Sequence, residues 1–470
     1  MSSNEPFFHP WMANSGSSLK QEMLAETGAA TIEELFEQIP NEHRRRQPLD
    51  LPPSLRSEAE LRRHLVSTLK RNKDAEQYLS FLGAGCWQHH VPAVVDEIVG
   101  RTEFLTPVWG SPQSDHGRNQ AWFEFNSQLG ELLKADVVQL PVYSWGCAIG
   151  HAIRMASRIT GRREVLIPHH MDPERLSVVQ SYCEPPDMKE HIKIVHIAAD
   201  EKTGGLDLAD LKARLSDKTA AIYFEQPGYL GAIEPQAAEI AALARKHGAE
   251  TIVGVDPISL GILKAPGDYG ADIIVGPTQP LGVHMNCGGG VGGFMASRDD
   301  ETYVREFNGF LVSIAETQKP GEFGFGLASA HQTSYGMREE GKDWTGNSVY
   351  LWAIANAVYM SLLGPEGFRE VGELIISRAN YAASVLSRIK GVGIASSGSF
   401  FKEFVVNFDG TRKTVAQVNK RLRKKHQIFG GKDLSAELPE LGQSALYCVT
   451  EIHTQDDIDR LGNAVAEAVS

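Results

Sequence analysis

Cysteine is scarce in this sequence: five in 470 residues, at Cys86, Cys147, Cys183, Cys287 and Cys448, with no CxxC pair among them. That spacing argues against a disulfide framework and against a structural zinc site, and it points to a reducing compartment. Long apolar runs are missing too. No stretch is continuously apolar over the roughly 20 residues that a bilayer-spanning helix needs. The start, Met1-Ser2-Ser3-Asn4-Glu5, lacks a basic segment followed by an apolar one. The expectation is a cytoplasmic protein with no membrane partner. Positive charge comes only in short runs, such as His43-Arg44-Arg45-Arg46, in a chain of formal charge −13. Without a basic surface to track phosphates, nucleic acid is not expected as a partner. Internal repeats and low-complexity tracts are also absent.

What is present is enough apolar material, 42% of 470 residues, for a large core with further lobes attached. Residues 1–80 read as an N-terminal helical arm. Thr31 with Glu34 looks like a helix start that Pro40 stops, and Ser57–Leu69 sets Leu61, Leu65 and Leu69 on one face. Residues 81–345 alternate short apolar runs with helical stretches. Val165–Ile167, Ile192–Val195, Ala220–Phe224, Ile252–Val255 and Ile273–Val275 are strand candidates, and Pro235–His247 is a helix between two of them. Such alternation implies a mostly parallel sheet covered on both faces, an α/β domain. Residues 346–470 hold helices at Val349–Leu363 and Gly367–Ile389 and strands near Phe404–Val406 and Leu446–Val449, a smaller C-terminal α+β domain.

The chemistry is concentrated in Val253-Gly254-Val255-Asp256-Pro257, then Asp272 to Pro280, then the run Gly288 to Gly293. A carboxylate at the C-terminal end of a buried strand stands where α/β sheets bind ligands, and an acid there can pair a pyridinium nitrogen. The alternative for Asp256 is a helix cap. The order of elements resembles the aspartate-aminotransferase-like large domain of pyridoxal-phosphate (PLP) enzymes of fold type I, in which a lysine some two dozen residues beyond that acid forms the Schiff base. That window here holds Gln279 and Pro280, and the nearest lysine, Lys264, follows Asp256 too closely. Neither an amide nor a pyrrolidine can replace a primary amine.

Longer words make the resemblance specific. Phe81-Leu82-Gly83-Ala84-Gly85, His89-His90-Val91-Pro92, Phe104-Leu105-Thr106-Pro107, Gln226 to Gly231, Asp256 to Gly261, Pro266 to Asp272 and Leu363 to Glu370 together span almost the whole chain. They resemble glycine dehydrogenase (decarboxylating) subunit 1, the alpha subunit of the two-chain P-protein of the glycine cleavage system. The resemblance implies the following division of labour. A beta subunit carries the lysine and PLP. The alpha subunit has the same fold, binds no cofactor alone and completes an α2β2 assembly. Glycine loses its carboxylate, and the aminomethyl group passes to the lipoyl arm of the H-protein. His89, His90, Thr106 and Asp256 are then expected to complete the shared site, with no catalytic residue in this chain by itself.

The sequence also departs from that pattern. Trp109 and Ser111 stand in a loop that the family fills differently, Trp145 replaces a glycine in the turn that holds the cofactor phosphate in related catalytic subunits, and the segment around Trp344 is altered. Two other readings therefore stay open: a related PLP enzyme subunit acting on another amino acid or amine, and a non-catalytic scaffold or regulator. Cys147 and Cys287 are read as inert thiols rather than nucleophiles. His169 and His170, near Asp172, are read as a surface turn rather than a metal site, since neighbours in an extended segment point to opposite sides. The run Gly288–Gly293 is expected to allow close backbone approach between subunits.

Overall fold

The computed structural model describes residues 9, 11–105, 112–185, 188, 190–288, 292–328, 334–342, 349–395 and 398–470. The expectations that fall on Thr106, Trp109, Ser111 and Trp344 lie outside the described residues. The chain divides into two compact units, Met1–Asn72 and Lys73–Ser470.

In the first unit the helix Glu58–Leu69 is capped by Ser57, whose side chain accepts from the Glu60 N–H. Thr31 and Glu34 do meet, but the turn they start is a five-residue 3-10 helix, Ile32–Phe36, rather than an α-helix. Leu61, Leu65 and Leu69 are all exposed, so this unit has no core of its own on that face.

The second unit is built on a seven-stranded sheet: β1 (Val137–Val138), β2 (Glu164–Pro168), β3 (Lys193–Ile197), β4 (Thr219–Gln226), β5 (Glu250–Val255), β6 (Ile273–Pro277) and β7 (Gly293–Ser297). Their order is β1-β7-β6-β5-β4-β2-β3, and only β7 runs against the others. Every residue of β4, β6 and β7 is buried. Sheets covered on both faces read as continuous apolar runs, which is why β4 and β6 were legible. β7 was not, because it emerges from the glycine run. Gly293 is required there for a close approach within this chain, and residues 289–291 of the run lie outside the described residues. A Cβ on it would lie 2.2 Å from the Ser144 carbonyl oxygen.

The helix Trp145–Thr160 crosses one face of the sheet, with Ser144 as its N-cap accepting from the Cys147 N–H at 3.1 Å. The two expected helices after residue 349 form one run, Tyr350–Ser387, broken where Gly364 takes φ 58° ahead of Pro365. Its second half joins the helices Val415–Arg421 and Gln455–Val469 over a four-stranded antiparallel sheet, with Glu403–Asn407 and Ser444–Cys448 at its centre. Leu79–Ser80 pairs with Ile428–Phe429. The segment after residue 80 therefore leaves the C-terminal lobe and passes across the ends of β5 and β6. That path positions the site.

Candidate functional site

Asp256 follows β5 and does two things at once. Its Oδ1 caps the 3-10 helix Pro257–Gly261 by accepting from the Ile258 N–H at 3.2 Å, and its Oδ2 lies 2.8 Å from the Nζ of Lys402. Both side chains are only 3% exposed. Lys402 comes from the C-terminal lobe, one residue before the strand Glu403–Asn407. Its ammonium also lies 3.0 Å from His89 Nε2 and 3.6 Å from the centroid of the Trp87 ring. A lysine ammonium can only donate, so His89 Nε2 accepts and its Nδ1–H donates to Glu451 Oε2 at 2.7 Å. The result is one buried chain from Glu451 through His89 and Lys402 to Asp256.

Gln279 holds the lid of this arrangement. Its Oε1 accepts from the Trp87 N–H at 3.1 Å, and its Nε2 donates to the Trp87 carbonyl at 2.9 Å and to that of Val283 at 3.1 Å. The amide in the lysine window thus fixes the Trp87 backbone so that the indole lies over the ammonium, a contact stabilising by about 2 kcal/mol when desolvated. Beside it, Trp145 is covered by Arg175, whose guanidinium carbon is 4.0 Å from the ring centroid and which makes two bonds, 3.1 and 2.9 Å, to Glu225. Gly85, at φ 96°, lets the incoming segment pass that arginine; a Cβ there would meet Arg175 Nη1 at 2.4 Å.

Two carboxyls respond to this enclosure in opposite directions. Burial raises the Glu403 carboxyl to about 7 against the Ala84 N–H and the Lys402 charge, which pull it down. Burial also pushes Glu451 up, but the pairing with His89 and the His90 N–H outweigh it and bring it down to about 2. His90 itself has an exposed side chain, and only its N–H, 2.7 Å from Glu451 Oε1, joins the network. Pro280 is buried in the turn after Gln279, and Lys264 is exposed and takes no part. Lys402, Trp87, Arg175 and Glu451 were not foreseen. One signal did exist: Lys402-Glu403 is a charged pair set inside the apolar run Phe400 to Val406.

The family model for the glycine cleavage system P-protein matches residues 12–465. The chain belongs to the P-protein family. It is 35% identical over 472 residues to the probable glycine dehydrogenase (decarboxylating) subunit 1 of Staphylothermus marinus, and 37% identical over 465 residues to that of Saccharolobus islandicus, with 98% of each chain covered in both cases. A solved glycine decarboxylase (P-protein) of the glycine cleavage system, in inhibitor-bound form, superposes with a TM-score of 0.85 at 30% identity, covering 98% of this chain and 100% of that one. At the level of fold alone, the glutamate decarboxylase of Lactobacillus brevis matches with a TM-score of 0.68 at 13% identity, over 91% and 97% of the two chains. The expected α/β architecture, PLP fold type I with a smaller α+β domain, is the one observed.

In this P-protein chain the residues present do not fit PLP. The acid that would pair a pyridinium nitrogen already holds Lys402, whose ammonium lies under the Trp87 ring. The cavity bounded by Trp87, Trp145, Arg175, Asp256, Lys402 and Glu403 measures about 10 Å³, room for no more than one water. A second cavity of about 220 Å³ survives outside it, at Ser144, Gly146, Asp172, Gln279 and Gly292. It lies at the start of the helix Trp145–Thr160 and does not extend to Asp256. Trp145, expected to crowd this turn, has its indole buried under Arg175, and the cavity remains beside it.

Proposed function

We propose that this chain is the lysine-less alpha subunit of a PLP-dependent glycine decarboxylase, active only when paired with a cofactor-binding beta subunit in an α2β2 complex. The observation that carries this reading is Lys402 at Asp256, with Gln279 in the lysine window: the fold is retained and its cofactor space is filled from within. In the complex, decarboxylation of glycine and transfer of the aminomethyl group to a lipoyl H-protein belong to the partner's cofactor, and this chain supplies surface and rigidity. Asp256 and His89, both bound to Lys402, act by positioning. His90 and Thr106 are the residues proposed to face the shared site.

The test is spectroscopic and then catalytic. Purified alone and mixed with PLP, the chain is expected to show no aldimine absorbance. Co-expressed with a lysine-bearing homologue, the complex is expected to show the band and to exchange the glycine carboxyl with bicarbonate. A yellow protein from this chain alone would overturn the division of labour. A cofactor-loaded complex that fails the exchange would replace glycine with another amino acid or amine, and a partner fully active without this chain would leave it a scaffold.

A further inference from the structure

His169 and His170 follow β2, and Glu440 lies in the 3-10 helix Pro439–Leu441 of the C-terminal lobe. The two imidazoles do not point apart. Residues 169–170 form a bend and not a continuation of the strand, so strand alternation does not apply, and the ring centroids are 5.2 Å apart. Both rings turn their Nε2 to the same carboxylate oxygen: His170 Nε2 is 3.3 Å and His169 Nε2 is 3.8 Å from Glu440 Oε1. One ligand atom from each of the three residues falls within 4.8 Å of the others.

The His170 contact is within hydrogen-bond reach, and the pair of distances also suits a bound ion. A charge-assisted hydrogen bond between imidazole and carboxylate is typically about 2.7–2.9 Å, and the His89–Glu451 pair of this same chain attains 2.7 Å. The His169 and His170 contacts are both longer. Two donors bound to one ion at about 2.0–2.2 Å in tetrahedral geometry lie roughly 3.3–3.6 Å apart. The observed 3.3 and 3.8 Å bracket that spacing. We propose that His169, His170 and Glu440 form a binding site for a divalent transition-metal ion of the zinc class, on the wall of the cleft between β3 and the C-terminal lobe.

Two imidazoles and one carboxylate are a donor set for Zn²⁺, Co²⁺ or Ni²⁺ rather than for Mg²⁺ or Ca²⁺, which take oxygen ligands. Three protein ligands leave a fourth position for water. His196 lines the same cleft, its ring centroid 6.1 Å from that of His169, with its Nδ1 3.4 Å from the Pro168 carbonyl. Bound there, the ion would clip the end of β2 to Glu440, two segments some 270 residues apart in sequence.

The experiment uses the full chain, treated with chelator and carrying Cys287→Ser so that the exposed thiol takes no metal. Titration with Co²⁺ is expected to bring up visible d–d bands that saturate at one equivalent, and calorimetry with Zn²⁺ to give the same stoichiometry. His169→Ala with His170→Ala is expected to abolish the bands. Glu440→Gln, which keeps the shape of the side chain, is expected to weaken binding about tenfold or more, in line with the loss of a metal-site partner. Mg²⁺ at the same concentration is expected to give no heat. Absence of Co²⁺ bands, or bands and affinity unchanged in both variants, would overturn the proposal.

Discussion

At the scale of single residues, the site turns on Lys402. Removing one partner of a buried ion pair leaves the other charged and without water, which costs about 3–5 kcal/mol, whereas removing both charges costs much less. Lys402→Met is therefore expected to lower the unfolding free energy by about that amount, read from urea denaturation. Combining it with Asp256→Asn is expected to recover most of the loss. A single variant as stable as the parent would mean that the pair contributes nothing. Asp256 shows why neither sequence reading was complete. Helix cap and pyridinium partner were the alternatives on paper; one oxygen does cap the helix, and the other meets Lys402 instead.

At the scale of elements, the strand Glu403–Asn407 begins with a carboxyl raised from 4.5 to about 7, and the segment after Cys448 carries one lowered from 4.5 to about 2. Folded Glu403 keeps a proton that the unfolded chain releases, so its contribution to stability is greatest below pH 4.5 and falls as pH rises toward 7. Glu451 works in the opposite sense: its contribution is present above 4.5 and lost as pH falls toward 2. Glu403→Gln is expected to flatten the decline in melting temperature between about pH 5 and 7. Glu451→Gln is expected to lower stability at neutral pH and to make the acid limb shallower. Interchanged effects would mean that the environments are assigned the wrong way round. The elements themselves were largely legible. Five of the seven strands of the main sheet announce themselves as apolar runs, four of them because a strand buried on both faces has no polar side to show, and the half-buried edge strand β3 through Ile192 to Val195. β1 is two residues long and β7 starts in glycines, so neither had a pattern to read. The hairpin Leu311–Glu316 with Phe323–Ala328 was missed for a related reason: it is mostly exposed or half-buried, and its second strand is interrupted by Gly324 and Gly326.

At the scale of the whole molecule, two grounds for the proposed division of labour separate. Either only an amine is missing, or the space is gone as well. Gln279→Lys restores an amine in the window while leaving Lys402, Trp87 and Trp145 in place. It is expected to yield no aldimine absorbance with added PLP, and to destabilise the chain, because the Trp87 backbone loses both bonds to the Gln279 amide. A yellow variant would mean that the site opens readily and that the amine alone was lacking.

What the sequence determined by itself was the fold class, the family and the missing amine. Those follow from periodicity, from long ordered words and from the chemistry of one side chain, all of them properties of residues near each other in the chain. What only the tertiary structure decided was that Lys402 stands against Asp256. Lys402 lies 146 residues beyond Asp256 and 313 beyond His89, and no local pattern links them. The C-terminal lobe must dock on the large sheet before the ammonium meets its carboxylate. The same holds for Glu440 with His169 and His170: a site whose parts are brought together by the folding of two lobes has no signature in either one.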